Sequence, residues 1–246
     1  MEFTLGQSLL ILVGGFIAGI INGSVGGGSL LTYPLLVAGG LPPVLAAATN
    51  TTGLAPGNAA ALIPHRKGEV VPLRPHLKHA AAHSLGALAG GIILILLPEK
   101  VFEFIVPILL VVASALTLRK PRVESHPPVP VRQTLLSLVG SGVYQGYFGP
   151  GQGVIAIAVL LRDGRLTMPQ VIVVKNLCMA FSNVVVASLF ILTGHVIWHA
   201  AILLTISVFG GAWLGGHLTK YLRADVARGA VAAVGLVSAA WFVLGR

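Results

Sequence analysis

Acidic residues are almost missing from this chain. Only seven of 246 residues are Asp or Glu (Glu2, Glu69, Glu99, Glu103, Glu124, Asp163 and Asp225), and each falls in a connecting stretch or at the end of an apolar segment. No carboxylate pair can be placed inside the apolar sequence. That argues against a bound metal cation, a carboxylate proton relay and carboxylate-based catalysis. Cysteine is scarcer still. Cys178 stands alone within an apolar run, which excludes an internal disulfide and a cysteine-cluster metal site. His76, His79 and His83 have helical spacing, but with no fourth ligand or acidic partner they make a weak zinc site. No metal and no cofactor is expected.

Charge of either sign is short. Lys, Arg, Asp and Glu make up 9% of the chain, 55% is hydrophobic, and the mean hydropathy is +0.91. A soluble domain carries roughly 25% charged residues, so the composition is that of a polytopic membrane protein. The apolar N-terminus has no basic flank and no Ala-x-Ala-like cleavage site before its first polar break, so it does not read as a removable signal peptide. The net charge of +9 raises the question of nucleic acid. Most positive residues lie in short loops between apolar segments, however, which is the mark of membrane orientation. The expected partners are lipid and a small solute, not nucleic acid; nothing in the sequence fixes an oligomeric state.

Ten apolar segments are predicted, at about 5–22, 28–40, 44–63, 77–97, 101–118, 134–147, 152–161, 168–193, 196–219 and 226–244. The first two, and the sixth and seventh, are short pieces flanking a glycine-rich break. The other six are long enough to cross a bilayer, which takes roughly 20 residues. The first break reads Gly19-Ile-Ile-Asn22-Gly23-Ser24-Val25-Gly26-Gly27-Gly28-Ser29 and the second Gly142-Val-Tyr-Gln145-Gly146-Tyr147-Phe148-Gly149-Pro150-Gly151-Gln152, and a shift of 123 superimposes the glycines. Further matches follow in the same order: Thr49-Asn50 with Lys175-Asn176, Gly68-Glu-Val70 with Gly194-His-Val196, and Gly86–Gly91 with Gly211–Gly216. The chain therefore reads as a duplication: a first membrane repeat over 1–119, a cytoplasmic linker over 120–133 and a second repeat over 134–246. Each repeat is a glycine-broken helical hairpin plus three transmembrane helices, making an all-α fold.

Charge sets the orientation. His65-Arg66-Lys67, Arg74 and Lys78 fill one loop, while its partner around Gly194-His195 has no Lys or Arg. Arg119, Lys120, Arg122 and Arg132 lie in or beside the linker, Arg162 and Arg165 precede the eighth segment, and Lys220, Arg223 and Arg228 follow the ninth. If each break makes an in-and-out hairpin, every basic loop is cytoplasmic. The repeats are then inverted and both termini lie outside. Charge fixes only parity, so two short full spans in place of each hairpin fit equally well.

Breaking a helix in lipid exposes backbone polar groups, which is tolerated only where the break is buried in protein or lines a polar cavity. Two matched breaks point to a transporter's central site. The second half-helix of each starts near Gly26-Gly27-Gly28-Ser29 or Gly149-Pro150-Gly151-Gln152. A helix start offers free N–H groups and about half a positive charge, which suits an anion. Pro150 fits a first helical turn. The competing reading is close helix packing, because Gly142 and Gly146 are also spaced as small-xxx-small.

Around the breaks, Asn176, Ala180, Asn183 and Ala187 form a helical stripe, matched by Asn50, Leu54, Gly57 and Ala61 with Thr49, Thr51 and Asn58 beside it. Lys175 is either a cationic contact for an anion or a side chain that snorkels to the cytoplasmic surface. His83 is a candidate for proton coupling or an ordinary hydrogen-bonded histidine. The glycine pairs 86/90 and 211/215 are GxxxG contacts, expected between the halves. The substrate-binding set is therefore Asn22, Gly26, Gly27, Gly28, Ser29, Thr49, Asn50, Gln145, Gly149, Gly151, Gln152, Lys175, Asn176 and Asn183.

Gly15-Phe-Ile-Ala-Gly19 running into Gly26-Gly27-Gly28-Ser29, then Pro34, then Ala46-Ala47-Ala48-Thr49-Asn50, resembles the TauE/SafE family of sulfite and organosulfur anion exporters and permeases. The second copy, Gly146 to Gly153 with Lys175-Asn176, fits the family's duplicated pattern, and the resemblance covers nearly the whole chain. It departs at Pro150 and Gln152, where the first copy has Gly27 and Ser29, so a strictly symmetric site is not expected. The resemblance implies export, or in some members uptake, of sulfite, sulfoacetate, taurine-related or similar anions. The expectation is a secondary transporter, not an enzyme, in the inner membrane of a bacterium or archaeon. It would move a small sulfur-containing anion outward by alternating access. The alternatives are a passive anion channel, an uptake permease and, more remotely, a membrane-embedded enzyme, for which no nucleophile or acid–base pair is found.

Overall fold

The computed structural model describes residues 4–24, 26–63, 71–119, 128–218 and 224–244. The loop residues His65-Arg66-Lys67, the stretch Gly68-Glu-Val70 that matches Gly194-His-Val196 in sequence, the linker residues 120–127, and Lys220 and Arg223 lie outside the described residues. The described residues form ten α-helices: α1 (Leu5–Ser24), α2 (Ser29–Ala38), α3 (Pro43–Ala60), α4 (Leu77–Leu96), α5 (Glu99–Leu118), α6 (Val131–Tyr147), α7 (Gln152–Arg162), α8 (Met168–Leu192), α9 (Trp198–Leu218) and α10 (Ala224–Leu244). No strand occurs among the described residues.

Local chemistry accounts for the helix ends. Prolines stand just before α3, α5 and α6, at Pro42, Pro98 and Pro130, each in the extended conformation that leads into a first turn. At α8, the Thr167 side chain and Gln170 form a capping box, with Gln170 Oε1 accepting from Thr167 N at 3.0 Å.

Six helices are long and apolar enough to cross a membrane: Leu5–Gly23, Arg74–Leu96, Glu99–Leu118, Met168–Leu192, Trp198–Gly215 and Asp225–Leu244. The number matches the sequence reading, but two members exchange. Helix α1 is long enough to cross and is not a short flanking piece, because it stays helical through Gly14, Gly15 and Gly19 up to the break. Helix α3, expected to cross, is not among the six; its eighteen residues include Thr49, Asn50, Thr51, Thr52, Asn58 and two prolines, which lower its hydropathy. Helices α2 and α7, with 10 and 11 residues, rise only about 15–17 Å at 1.5 Å per residue.

Polarity runs inside out relative to a soluble protein. Leu192 and Leu244 are 85% and 84% exposed, whereas Lys175, Asn176 and Asn183 are 0%. An apolar surface and a polar interior fit lipid as the solvent. Helix α1 lies against α9, and α6 against α4; α3 packs on α9 and α8, while α8 packs on α4; α5 meets α10. These pairings are unchanged when each helix is exchanged for the one five places along.

Glycines permit the closest crossings. A Cβ on Gly146 would stand 2.6 Å from Gly91 N, and one on Gly142 2.8 Å from Ala87 N, so α6 rests backbone to backbone on α4. A Cβ on Gly19 would be 2.6 Å from Val208 O, and one on Gly215 2.8 Å from Ile20 Cα, giving the same contact of α1 with α9. The expected GxxxG contacts therefore join the first five helices to the last five. Gly142 and Gly146 do serve packing, as their spacing allowed.

Candidate functional site

The two breaks touch. Ser29 Oγ, at the start of α2, accepts from Gly151 N at 3.1 Å and lies 3.5 Å from Gly149 O, to which it donates. A Cβ on Gly26 would be 3.1 Å from Gly153 C, so the glycine loops meet in backbone contact. One side chain from the first break thus satisfies the backbone of the second. Behind the second break, Phe148 packs edge-on to Tyr33 with ring centroids 5.4 Å apart, and Tyr144 Oη donates to Pro150 O at 2.6 Å.

The breaks differ in backbone. Gly26 and Gly149 share positive φ values of 84° and 89°, but the next positive φ falls at Gly27 (92°) in one and Gly151 (78°) in the other. Proline cannot adopt positive φ, so Pro150 moves the left-handed residue one place along. Pro150 is not in the first turn of α7, contrary to the sequence reading. It is the second residue of a turn closed by Gln152 N donating to Gly149 O at 3.1 Å, with Gly151 third at φ 78°, ψ −2°. That is type II turn geometry.

Two amide pairs tie the breaks to the polar helices. Asn22 Nδ2 on α1 donates to Asn58 Oδ1 on α3 at 3.2 Å, and Gln145 Nε2 on α6 donates to Asn183 Oδ1 on α8 at 2.5 Å. Ser182 Oγ lies 2.9 Å from Gln145 Oε1 and 2.7 Å from Cys178 O. Thr32 Oγ1 donates to Asn50 Oδ1 at 2.5 Å. Both stripes read from the sequence, Asn50-Leu54-Gly57-Ala61 and Asn176-Ala180-Asn183-Ala187, are buried along their length.

Lys175 neither snorkels nor pairs with an acid among the described residues. Its Nζ donates to Asn22 O at 2.7 Å, and Asn176 Nδ2 donates to Gly23 O at 3.2 Å. Two side chains of α8 therefore cap the carbonyl end of α1 at the break, where cations and donors are favoured. Their sequence matches do something else. Thr49 Oγ1 accepts from Ile197 N, the residue before α9, at 3.0 Å, so Thr49 is committed to the start of α9. Asn50, beside it, bonds Thr32 on α2, three residues beyond the first break. His83 Nε2 faces Ser141 Oγ at 3.4 Å in the α4–α6 contact, one turn of α6 before Gln145.

Four buried polar atoms of the predicted set have no hydrogen-bond partner among the described residues: Asn50 Nδ2, Gln152 Oε1, Asn176 Oδ1 and Asn183 Nδ2. Buried polar atoms are paired about nine times in ten; these four are among eleven buried side-chain atoms without a partner in the described residues. Thr51 joins them, since a Cβ on Gly149 would be 3.3 Å from its Oγ1 and 3.8 Å from Gln152 Oε1.

Sequence reasoning left Thr32, Ser182 and Tyr144 out of the site. Thr32 carried a usable signal, lying three residues after Ser29 and so on the same face of α2; Ser182 and Tyr144 carried none. No group of three His, Cys, Asp or Glu able to hold a metal occurs among the described residues. A groove of about 610 Å³ between α5 and α10, lined by Pro107, Val111, Leu236 and Val243 among others, has only apolar side chains and belongs to the lipid-facing surface.

An apolar helical bundle whose polar side chains converge on two broken helices is the build of a membrane transporter. The chain belongs to the TauE/SafE sulfite exporter family, whose model matches residues 11–242. It is 31% identical over 217 residues to "Probable membrane transporter protein ORF9" of Sinorhizobium sp, covering 84% of this chain and 81% of that one. It is 29% identical over 206 residues to "Probable membrane transporter protein YfcA" of Escherichia coli K12, covering 82% and 77%. A "Probable membrane transporter protein" of Haemophilus influenzae is 26% identical over 208 residues, covering 83% and 82%. No solved structure matches the chain significantly. The family and these relatives are described as membrane transporters, not enzymes.

Proposed function

We propose that this protein is a secondary transporter that exports a small sulfur-containing anion, such as sulfite or an organosulfonate, by alternating access. The observation that carries the reading is the contact of the two glycine breaks, ringed by unpartnered buried amides. The starts of α2 and α7 bring two partial positive charges to this place. Asn50 and Asn183 add amide donors, and Lys175 adds an ammonium whose charged form is favoured once an anion lies beside it. The substrate-binding residues are Asn22, Gly26, Gly27, Gly28, Ser29, Asn50, Gln145, Gly149, Gly151, Gln152, Lys175, Asn176 and Asn183, joined by Thr32 and Thr51.

The architecture is two inverted repeats, residues 1–119 and 134–246, joined by 120–133, with both termini outside. The helix pairings that survive exchange of the two sets of five support it. The site lies between the repeats, held by cross-repeat bonds from Ser29, Lys175 and Asn176, so rocking one repeat against the other opens it to either side. The relatives' descriptions support transport, and the family name supports sulfite and outward movement.

The test is flux of labelled sulfite and methanesulfonate in proteoliposomes of the purified chain. Saturable flux that accelerates with anion on the opposite side is the expected result. Non-saturating flux without counter-exchange would assign a channel, and no flux or binding of any anion would overturn the reading.

A further inference from the structure

Resting on that transport reading, we propose that Lys175 sets the valence of the substrate: the site accepts singly charged anions, and the loaded carrier crosses the membrane electrically neutral. Lys175 is wholly buried, and its ammonium donates to the backbone oxygen of Asn22. The acidic residues among the described part of the chain are engaged or placed elsewhere. Thr134 and Arg165 hold Asp163 at the α7–α8 turn, and Asp225 faces Arg228 at the start of α10. Glu99 is exposed at the first turn of α5, and Glu103 lies one turn further along that helix. On α4, which packs on α8, His83 faces Ser141 and the ring of His79 lies 5.2 Å from that of His76.

Helix dipoles do not change the count. The C-terminal ends of α1 and α6 and the N-terminal ends of α2 and α7 meet at the breaks, and each contributes about half a charge. Two negative and two positive ends cancel, which leaves the single charge of Lys175. A monoanion brings the enclosed site to zero, a neutral solute leaves +1, and a dianion leaves −1. An unbalanced charge makes the loaded carrier's movement work with or against the membrane potential, at about 2.3 kcal/mol per charge per 100 mV. The duplication does not supply a second charge, because the residue matching Lys175 is Thr49.

Methanesulfonate, sulfate and dimethyl sulfone share a tetrahedral sulfur and carry one, two and no negative charges. In thermal-shift titrations of the purified full chain, methanesulfonate is expected to bind at least tenfold more tightly than the other two. Lys175→Gln should move the preference to the sulfone by tenfold or more, while Lys175→Arg keeps the wild-type order. In proteoliposomes, exchange of labelled for unlabelled methanesulfonate should not respond to a valinomycin-set potential in the wild type. Residual exchange in Lys175→Gln should respond, by up to about fiftyfold per 100 mV if the charge crosses the whole field. Equal binding of sulfate and methanesulfonate by the wild type, or wild-type exchange that follows the potential, overturns the proposal, and neither result needs the variant to fold. If anions move without valence preference, only this inference fails. If none binds or moves, the transport reading falls and takes this inference with it.

Discussion

The Gln145–Asn183 pair separates a binding site from helix glue, because the two roles respond differently to single and double replacement. Both residues are fully buried, and the pair is joined by one bond of 2.5 Å between α6 and α8. Gln145→Leu keeps nearly the same volume but leaves Asn183 Oδ1 without its donor, and Asn183 Nδ2 is already unpartnered. Orphaning a buried polar atom costs about 1–3 kcal/mol. Side-chain pairs inside membrane proteins average about 0.6 and reach about 1.7 kcal/mol in double-mutant cycles, so the low end applies. Ser182 is not orphaned by the change, since its hydroxyl retains Cys178 O at 2.7 Å. A loss near 1 kcal/mol lowers the melting temperature by roughly 2–4 °C for a chain of this size. Gln145→Leu combined with Asn183→Val removes donor and acceptor together and should return the melting temperature to near wild type. Transport should not return with it. An anion deprived of an amide donor loses about 1.5–3 kcal/mol of charge-assisted bonding, on the order of ten- to a hundredfold in affinity. Melting in detergent and saturable flux in proteoliposomes are the two readouts. A double variant with wild-type stability and wild-type flux would refute the site and leave only glue. One less stable than either single would refute the pairing.

Two glycines extend the test to the backbone. Gly146→Ala drives a Cβ to 2.6 Å from Gly91 N on the neighbouring helix, so α6 must move off α4 at a cost of roughly 1–3 kcal/mol. Gly140→Ala on the same helix meets nothing within 4 Å and should be neutral or slightly stabilising; equal melting temperatures for the two variants would contradict the packing. Gly151→Ala combines a left-handed φ of 78° with a Cβ 2.7 Å from Ala113 Cβ. It should lose about 1–2 kcal/mol from the backbone alone and reduce anion flux, whereas unchanged flux and melting would mean that the second break is not held as described.

Helix positions were legible because the apolar runs and glycine breaks leave little choice. All ten segments begin within three residues of the observed helix, and α1, α4, α7 and α8 begin at the expected residue. The errors have physical causes. The first segment, expected at 5–22, reads as one of the short flanking pieces because Gly19 opens the break, but α1 stays helical to Ser24, with Gly15 and Gly19 giving α9 close access. Period and spacing placed Asn50, Asn176 and Asn183 on buried stripes, yet nothing in a helical period says which neighbour an amide finds. Thr49 was drawn into the site by its match with Lys175, and its hydroxyl in fact serves Ile197 N. Thr32 and Ser182 were passed over because hydroxyls are common in membrane helices, where they usually return to their own backbone, as Thr52 and Ser188 do.

The departures from exact duplication are as informative as the matches. Ser29 reaches across to satisfy Gly151 N, and its counterpart Gln152 leaves Oε1 unpartnered. Asn176 caps Gly23 O, while its counterpart Asn50 turns to Thr32 within its own half. At Ser29/Gln152 one copy closes a structural bond that the other leaves open, and at Thr49/Lys175 and Asn50/Asn176 the two copies close bonds with different partners. A duplicated scaffold that used both copies alike would either bind its own backbone twice or leave two helix ends uncapped in the bilayer interior, at several kcal/mol per group. Dividing the tasks keeps the breaks joined through Ser29, Lys175 and Asn176 while leaving Asn50, Asn183 and Gln152 free to face a solute. The same division places one lysine, and not two, beside the breaks. The asymmetry therefore belongs to the proposed binding chemistry and is more than drift from an ancestral repeat.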